Sequence, residues 1–411
     1  MNSEYLSLRK LKAARVVADL GNISRAAEVL NRTQSAVSKG ISELESRLSV
    51  QLFDRSAQGV EITNQGAVFI ERIRQAEAEF SRAEVLHSQV SRQAATRHNN
   101  PVFNMEISRK RLAAFLVVYD LLDVAAAAER LRLTRAAVYS SLRQLEQWLG
   151  CPLFSSGAVG LTSTPAADGL ATHTRLAFAL IRHGLEDISS LQGEMRGRVV
   201  IGTLPYSRTV LIPRTIDRVL KEHPGLHIAT REGPYDTLER SLRSGELDLI
   251  IGATRFHDEH SHVSSENLFE DELAVIAGAQ HPLLRASRVS LADLEDYGWV
   301  LPLKQTPARQ LFESQVAQRF TAPLREVVET GSLSTVRGLL LESDRLALLS
   351  RHQVYHDERA GLLQALPVRL EGTSRPIGIT KRAHTTPSPA AGAFIETLRE
   401  MSGSLPGGSL R

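Results

Sequence analysis

The chain has 411 residues, enough for two or three domains that each bury a core of their own. Hydrophobic residues make up 42% and charged residues 23%, which is typical of globular proteins and excludes a mainly disordered or fibrous chain. The formal net charge is only +3, so the overall balance does not by itself indicate a nucleic-acid partner. The single cysteine, Cys151, excludes an intrachain disulfide and an all-cysteine metal site.

Charged residues interrupt every apolar stretch before it reaches the length of a membrane span. The most apolar candidate, residues 112–128, contains Asp120 and Asp123. Charge also interrupts the start of the chain, which argues against a signal peptide. We therefore expect a cytoplasmic protein with no membrane partner.

Two segments of the first half match each other when the chain is shifted by 101 residues. Residues 26–53 and 127–154 are identical at twelve of twenty-eight positions, which indicates a duplicated unit. Apolar residues within the first copy have the spacing of two short helices, separated by a break at residues 31–33. Thr33 can cap the second helix, and Gly59 supplies a turn in the extended segment that follows. This order predicts a helix-turn-helix with a small wing.

These residues resemble the DNA-binding domain of the LysR-type transcriptional regulators. That family carries an Ala-Ala pair, a Thr or Ser before the recognition helix, a Leu-Glu pair near its end, a Leu-Phe-x-Arg segment at the wing and a Leu-Thr-x-x-Gly start of a linker helix. The corresponding residues here are Ala26-Ala27, Thr33, Leu44-Glu45, residues 52–55 and residues 62–66. The alternative is a pair of amphipathic helices in an ordinary helical domain.

The solvent side of the helix that starts at Gln34 carries short polar and cationic side chains, which suit base edges and phosphates in a major groove. The resemblance implies base-edge contacts by Gln34, Ser35 and Ser38, and backbone contacts by Thr33, Lys39 and Arg55.

The second copy departs from this pattern at its surface, although its apolar positions are kept. Among the expected contact residues, Ser38 becomes Tyr139, Lys39 becomes Ser140 and Arg55 becomes Ser156, so two expected phosphate contacts are lost. A basic surface remains, formed by Arg130, Arg132, Arg135 and Arg143. Two interpretations stay open: the second copy serves only packing and dimerisation, or it contacts DNA through Thr134, Arg135 and Tyr139.

A long helical stretch follows each copy, at residues 66 to about 93 and at about 166 to 191. In the family that the chain resembles, this helix mediates dimerisation. Since one chain holds two winged units and two linker helices, joined by a polar break at residues 96–101, we hypothesise a covalent pseudo-dimer. Two chains would then supply the four winged units for which an ordinary member needs four chains. The expected partners are promoter DNA, further copies of the chain as a homodimer or homotetramer, and RNA polymerase.

From Arg198 the pattern changes to short apolar strands that alternate with helices, which predicts two α/β lobes. This half resembles the effector-binding domain of the same family, which is built like a periplasmic binding protein. The predicted fold class is therefore a multidomain α/β protein, with two N-terminal winged helix-turn-helix units and their linker helices before a two-lobed effector domain. The predicted divisions are winged units at 1–65 and 105–164, linker helices at 66–100 and 165–195, the effector domain at 196–400 and a flexible tail at 401–411.

Ligands of such sheets bind beyond the carboxyl ends of the strands, where helix N-termini present free N–H groups. This rule gives the expected effector residues, which are Thr203, Pro205, Tyr206, Ser207, Pro234 and Tyr235 in the first lobe and Pro302, Lys304, Ser332 and Ser334 in the second. Helix N-termini favour an anion, so a small carboxylate is the first expectation. The two tyrosines also suit an aromatic ring or the apolar face of a sugar.

The sequence contains no motif typical of a nucleotide-binding, hydrolytic or zinc-protease active site, so we do not expect an enzyme. The histidine-rich run at residues 257–262 is interpreted as a solvated loop, and neither a metal nor a cofactor is expected. The alternative function is a cytoplasmic small-molecule-binding or assembly module whose winged units no longer bind DNA. The intact side chains of Gln34, Ser38, Lys39 and Arg55 favour the effector-controlled transcription regulator.

Overall fold

The computed structural model describes residues 6–56, 59–90, 100–157, 160–256, 262–304, 306–368, 370–383 and 385–403, with only the backbone at residues 55 and 56. These residues form two compact units. The first unit takes the described part of Met1–Gly197, and the second takes most of the chain from Arg198 onward. Two short segments, Arg243–Glu246 and Ser388–Ala390, group with the first unit. Among the helices of these ranges, none combines the length with the apolar character that a membrane span requires.

The first unit is built twice from the same series of elements. The first copy consists of α1 (Leu8–Leu20), α2 (Ile23–Val29), α3 (Gln34–Leu48), β1 (Phe53–Ser56), β2 (Gly59–Ile62) and α4 (Asn64–Val90). The second copy consists of α5 (Arg109–Leu121), α6 (Val124–Leu131), α7 (Arg135–Leu149), β3 (Phe154–Gly157), β4 (Gly160–Ser163) and α8 (Pro165–Leu191). Apart from the end of α6, corresponding bounds differ by 101 residues throughout. The duplication therefore covers the linker helices as well as the winged units.

Each helix-turn-helix forms because its helices are capped by side chains and bury an apolar stripe. The Thr33 hydroxyl accepts a hydrogen bond from the Ala36 N–H (3.3 Å) and starts α3, and Thr134 starts α7 in the same way. The stripe of α3 consists of Val37, Ile41, Leu44 and Leu48, and all four are buried.

A glutamate near the end of each recognition helix fixes the chain that leads into the wing. Glu45 Oε1 accepts hydrogen bonds from the N–H groups of Leu52 (2.9 Å) and Phe53 (3.2 Å). Glu146 Oε1 accepts the equivalent bond from the Leu153 N–H (2.8 Å). The Leu-Glu pair of the sequence signature therefore has a structural role in both copies.

The two linker helices, each of 27 residues, pack against each other inside one chain. Phe69, near the start of α4, lies against Gly184 near the end of α8. Leu86, near the end of α4, lies against Gly169 near the start of α8. The two helices therefore run antiparallel, and they place the two winged units at opposite ends of the pair.

Polar contacts reinforce this pairing between α4 and α8. The side chain of Arg72 is only 6% exposed, and its Nε donates to Asp187 Oδ2 at 2.7 Å. The His173 Nδ1 lies 2.7 Å from Glu79 Oε2. Because the apolar residues of both winged units and of both linker helices form one continuous core, the first unit folds as a single body.

The segment before α5, residues 100–107, packs into this core. Residues 96–99 of the expected polar break lie outside the described part of the chain, and Asn100 donates through Nδ2 to the Trp148 carbonyl (2.8 Å). Glu106 forms ion pairs with three cations of the first copy: Arg32 (2.8 Å), Arg9 (3.4 Å) and Lys12 (3.7 Å). The segment is buried through Val102, Phe103, Met105 and Ile107. The segment therefore contacts both copies, in addition to connecting them along the chain.

The second unit consists of two lobes, each with a five-stranded mixed sheet. The first sheet has the order β6-β5-β7-β14-β8, from β5 (Gly197–Thr203), β6 (Leu226–Glu232), β7 (Leu249–Ala253), β8 (Val263–Asp271) and β14 (Arg375–Arg382). The second has the order β11-β10-β12-β9-β13, from β9 (Leu273–Gly278), β10 (Trp299–Leu301), β11 (Val328–Glu329), β12 (Leu346–Ser350) and β13 (Leu363–Ala365). The chain crosses between the lobes twice, from β8 to β9 and from β13 to β14.

Helices cover the sheets of both lobes. They are α9 (Leu211–Glu222), α10 (Tyr235–Arg243), α11 (Pro307–Gln315), α12 (Leu333–Glu342), α13 (Tyr355–Arg359) and α14 (Pro389–Gly403). β5 runs parallel to β7, and β10 runs parallel to β11 and β12. The carboxyl ends of these parallel strands are the places where the lobes present loops and helix N-termini.

Candidate functional site

The first reading face is the N-terminal part of α3. Gln34, Ser35 and Lys39 are exposed, and Ser38 is half-buried. The Thr33 hydroxyl, besides capping α3, lies 3.1 Å from the Ser35 hydroxyl. These side chains lie on one accessible end of a helix, as a major-groove contact requires. Their role in DNA binding stays a prediction.

The wing of the first copy is a two-stranded antiparallel hairpin. Arg55 lies in β1 opposite Val60 in β2. Its side chain, which the resemblance places on a phosphate, lies outside the described residues.

The second reading face is the N-terminal part of α7. Thr134 and Arg135 are exposed, and Tyr139 is 50% exposed. The exposed arginines Arg130, Arg132, Arg135 and Arg143 form no ion pair with another described residue. Arg32 of the first copy, by contrast, is neutralised by Glu106. The second copy therefore keeps a cationic surface of its own.

Between the lobes, Tyr206 is the predicted effector residue with the most distinctive surroundings. Its ring lies 5.5 Å from the ring of His352 and 5.9 Å from that of Phe269. The hydroxyl is fully buried and lies close to Ser350, but it forms no hydrogen bond of good geometry with a described residue. Burial raises the pKa of the Tyr206 phenol, with Asp271 adding to the effect, so the hydroxyl stays protonated and can donate.

The neighbouring predicted residues have partners within their own lobe. The Ser207 hydroxyl donates to backbone carbonyls, with Leu204 O at 3.0 Å and Ile251 O at 3.1 Å. Thr203 is buried, and its hydroxyl lies 3.3 Å from Arg208 Nε. Pro205 is exposed at the start of the following 3-10 turn. The site residues Thr203, Pro205 and Ser207 stay predictions.

After the next strand, β6, the chain reaches Pro234 and Tyr235. Pro234 is exposed, whereas Tyr235 is buried at the first position of α10. The guanidinium of Arg255, which follows β7, lies 3.9 Å from the centre of the Tyr235 ring. Arg255 was not predicted, although the rule that selected Tyr235 also applies to the residue beyond β7.

The predicted residues of the second lobe follow β10 and β11. Pro302 is half-buried, and its carbonyl accepts a hydrogen bond from Arg309 Nη1 (3.3 Å). Ser332 caps α12 by accepting from the Thr335 N–H (3.3 Å), and Lys304 and Ser334 are exposed. All four follow the carboxyl ends of strands in the chain, and their role in effector binding stays a prediction.

Sequence reasoning missed a buried polar cluster where the chain crosses between the lobes. The Ser350 hydroxyl donates to Asp271 Oδ1 (2.7 Å), and Arg375 Nη2 lies 3.2 Å from Asp271 Oδ2. Burial raises the pKa of the Asp271 carboxyl against the opposing effects of Arg375 and Ser350, and burial lowers the pKa of His352. No sequence signal joins these residues, because 79 and 104 positions separate Ser350 and Arg375 from Asp271.

The histidine-rich run lies outside the described residues except for His262. Among the described residues, no group of three or more His, Cys, Asp or Glu side chains is placed to hold a metal ion.

Family models match both halves of the chain. The model described as "Bacterial regulatory helix-turn-helix protein, lysR family" matches twice, at residues 8–67 and 110–168. The model described as "LysR substrate binding domain" matches residues 192–403.

Two named relatives differ in how much of this chain they match. The HTH-type transcriptional regulator GalR of Pseudomonas putida is 36% identical over 399 residues, which span 97% of this chain and 98% of the relative. The regulator PcaQ of Agrobacterium fabrum is 27% identical over 302 residues, which span 97% of that protein but only 74% of this chain. The unmatched part is about a quarter of this chain, close to the length of one winged unit with its linker.

Among solved structures, a full-length OxyR variant from Pseudomonas aeruginosa aligns with a TM-score of 0.54 at 21% identity. The alignment covers 96% of that chain and 75% of this one. This likeness concerns the fold.

Proposed function

Because the chain belongs to the LysR family of transcriptional regulators, we propose that it binds promoter DNA through the first reading face and changes that binding when a small organic acid occupies the cleft between its lobes. The protein is then a cytoplasmic regulator that acts on RNA polymerase, in a homodimer or homotetramer. The observation that carries the DNA-binding part is the exposed group Gln34, Ser35 and Lys39 at the capped start of α3.

The experiment for DNA binding is a salt series with the region upstream of the chain's own gene. The variant Ser38→Ala/Lys39→Ala removes a hydroxyl and a cation from the first reading face. We expect this variant to lose specific binding. Its plot of log affinity against log salt should also be less steep, by about one unit of slope, because one phosphate contact is lost. Lys221→Ala removes an exposed cation from α9 and is the matched control, which should bind like the wild type.

The same DNA-binding experiment also tests the alternative function, a small-molecule-binding or assembly module that does not bind DNA. A wild-type chain that binds the upstream region no better than unrelated DNA of equal length would favour it.

The effector part of the proposal is supported by the buried Tyr206 hydroxyl, which has a proton to donate and no hydrogen bond of good geometry. A ligand oxygen at this position would satisfy the hydroxyl, and the ring offers an apolar contact. Two arginines lie at the cleft loops. Arg375 is 5.8 Å from the Tyr206 ring centre and pairs with Asp271, and Arg255 lies over Tyr235 and pairs with Asp236. A small carboxylate with an aromatic body would compete for these guanidinium groups and contact the tyrosine rings, whereas an uncharged sugar offers them no charge.

A binding experiment with named probes tests this effector class. We expect calorimetry to show binding of protocatechuate, weaker binding of succinate and no binding of glucose. Tyr206→Phe should weaken the binding of protocatechuate about tenfold. Tyr297→Phe, which removes a tyrosine hydroxyl beside His281 in the second lobe, is the control and should have no effect. Tight glucose binding that survives Tyr206→Phe would contradict the proposed class.

A further inference from the structure

The second winged unit keeps the capping and packing features that build the first reading face, although Ser156 replaces the wing arginine Arg55. The cap at Thr134, the Glu146 contact with the wing and the buried stripe of α7 all repeat those of the first copy. The Thr164 hydroxyl accepts from the Ala167 N–H (3.3 Å), as the Thr63 hydroxyl accepts from the Gly66 N–H (2.9 Å). A unit kept only for packing would need no exposed arginine at the first position of its recognition helix, where Arg135 lies.

The chemistry of the two reading faces differs at each of four corresponding positions. Gln34, Ser35, Ser38 and Lys39 of α3 correspond to Arg135, Ala136, Tyr139 and Ser140 of α7. Glutamine pairs with adenine and arginine with guanine through two hydrogen bonds each, and an alanine methyl group contacts the methyl group of thymine. The two faces therefore suit different bases.

The arrangement of the two faces is fixed by the antiparallel linker helices. At about 1.5 Å per residue, a helix of 27 residues is about 40 Å long. Paired helix-turn-helix units read half-sites about 34 Å apart, one turn of B-DNA. One chain thus has the dimensions to place both faces on successive major grooves.

We propose that a single chain reads a DNA operator with two unlike half-sites in opposite orientation, one through α3 and one through α7. The half-site under α7 has a guanine where Arg135 reaches, and the half-site under α3 has an adenine where Gln34 reaches. This inference rests on the proposed DNA-binding function and extends it from the first winged unit to the second.

The experiment compares the natural operator with two symmetric versions of it. Footprinting with the full-length chain upstream of its gene defines the two half-sites. Two further duplexes of equal length then carry either the first or the second half-site twice, in inverted orientation. We expect the wild type to bind both symmetric duplexes about fivefold to a hundredfold more weakly than the natural operator at the same salt concentration.

Four substitutions in α7 should give the second reading face the base specificity of the first. The variant Arg135→Gln/Ala136→Ser/Tyr139→Ser/Ser140→Lys gives α7 the reading residues of α3 without a change of net charge. It should bind the duplex with two copies of the first half-site more tightly than the natural operator. Because the four positions are exposed in α7, the substitutions leave the core intact.

Each contrary outcome has a separate meaning. If the wild type binds the duplex with two first half-sites as tightly as the natural operator, or if the fourfold α7 variant leaves the ranking unchanged, the inference is overturned while the proposed function stands. If the wild type gives no specific footprint, the proposed function fails as well.

Discussion

Thr174 is a buried polar residue inside the pair of linker helices. It is fully buried in α8, and its hydroxyl has no hydrogen-bond partner among the described residues. The corresponding residue of α4 is Ile73, which is fully buried as well. An unsatisfied buried hydroxyl costs free energy that the isosteric valine does not.

Thr174→Val should therefore raise the free energy of unfolding of the first unit by about 1 kcal/mol. The control, at the N-cap of the same helix, is Thr164→Val, which removes a hydroxyl that caps α8 and should lower that free energy by about 1 kcal/mol. Hydrogen exchange of α4 and α8 peptides, read by mass spectrometry, measures both changes in the unit concerned. Faster exchange in Thr174→Val would contradict the prediction.

At the scale of elements, the pairing of α4 with α8 depends on complementary sizes. Phe69 lies against Gly184, and the corresponding residues Leu170 and Ala83 line one small crevice. If two copies of α4 paired with each other instead, Phe69 would face Ala83 in place of Gly184. A Cβ at the position of Gly184 would lie only 2.7 Å from the Phe69 ring, so the alanine would be too close. Two copies of α8 would set Leu170 against Gly184 and leave a gap. The unlike pair fits best.

This fit makes two glycines of α8 respond differently to the same change. Gly184→Ala should lower the free energy of unfolding, because overpacking costs about 1–3 kcal/mol and exceeds the gain in helix propensity. Gly169→Ala places its Cβ at an ordinary 3.8 Å from Leu86 and should stabilise the unit by up to about 1 kcal/mol. Thermal unfolding of the two variants beside the wild type checks the signs. Equal shifts would show that the contact with Phe69 is not tight.

The sequence predicted the elements of the first unit better than their packing. The start of the recognition helix at Gln34 followed from the Thr33 cap and the apolar spacing, and the structure has α3 begin there. α4 begins at Asn64, two residues before the expected start, because the Thr63 hydroxyl caps it. The direction and register of α4 against α8 did not follow, since apolar stripes on two helices permit several alignments.

Other features gave no periodic signal from which to predict them. The segment of residues 100–107 buries Phe103 and Met105 without helical or strand spacing. The contacts of Asp271 with Ser350 and Arg375 join residues that meet only when both crossings between the lobes have formed. In the cleft, the strand-end rule selected Tyr206 and Tyr235 but gave no indication which hydroxyls would already have partners.

At the scale of the whole molecule, the internal pair changes the number of chains that an assembly needs. One chain of 45.2 kDa already contains two winged units and the linker-helix contact between them. We expect light scattering of the purified protein to give the mass of two chains, which then carry four winged units. The mass of four chains would contradict this expectation. Measuring across a hundredfold dilution separates a stable assembly from a concentration-dependent one.

The antiparallel contact between α4 and α8 also has a genetic consequence. Tethered helices meet at an effective concentration in the millimolar range, far above that of separate regulator molecules in a cell. The pair of winged units therefore stays intact when few copies are synthesised. Because α4 already packs against α8 of its own chain, we expect a chain damaged in DNA reading not to replace a winged unit within the pair of an intact chain. Any dominant effect of such an allele would then have to act through contacts between chains.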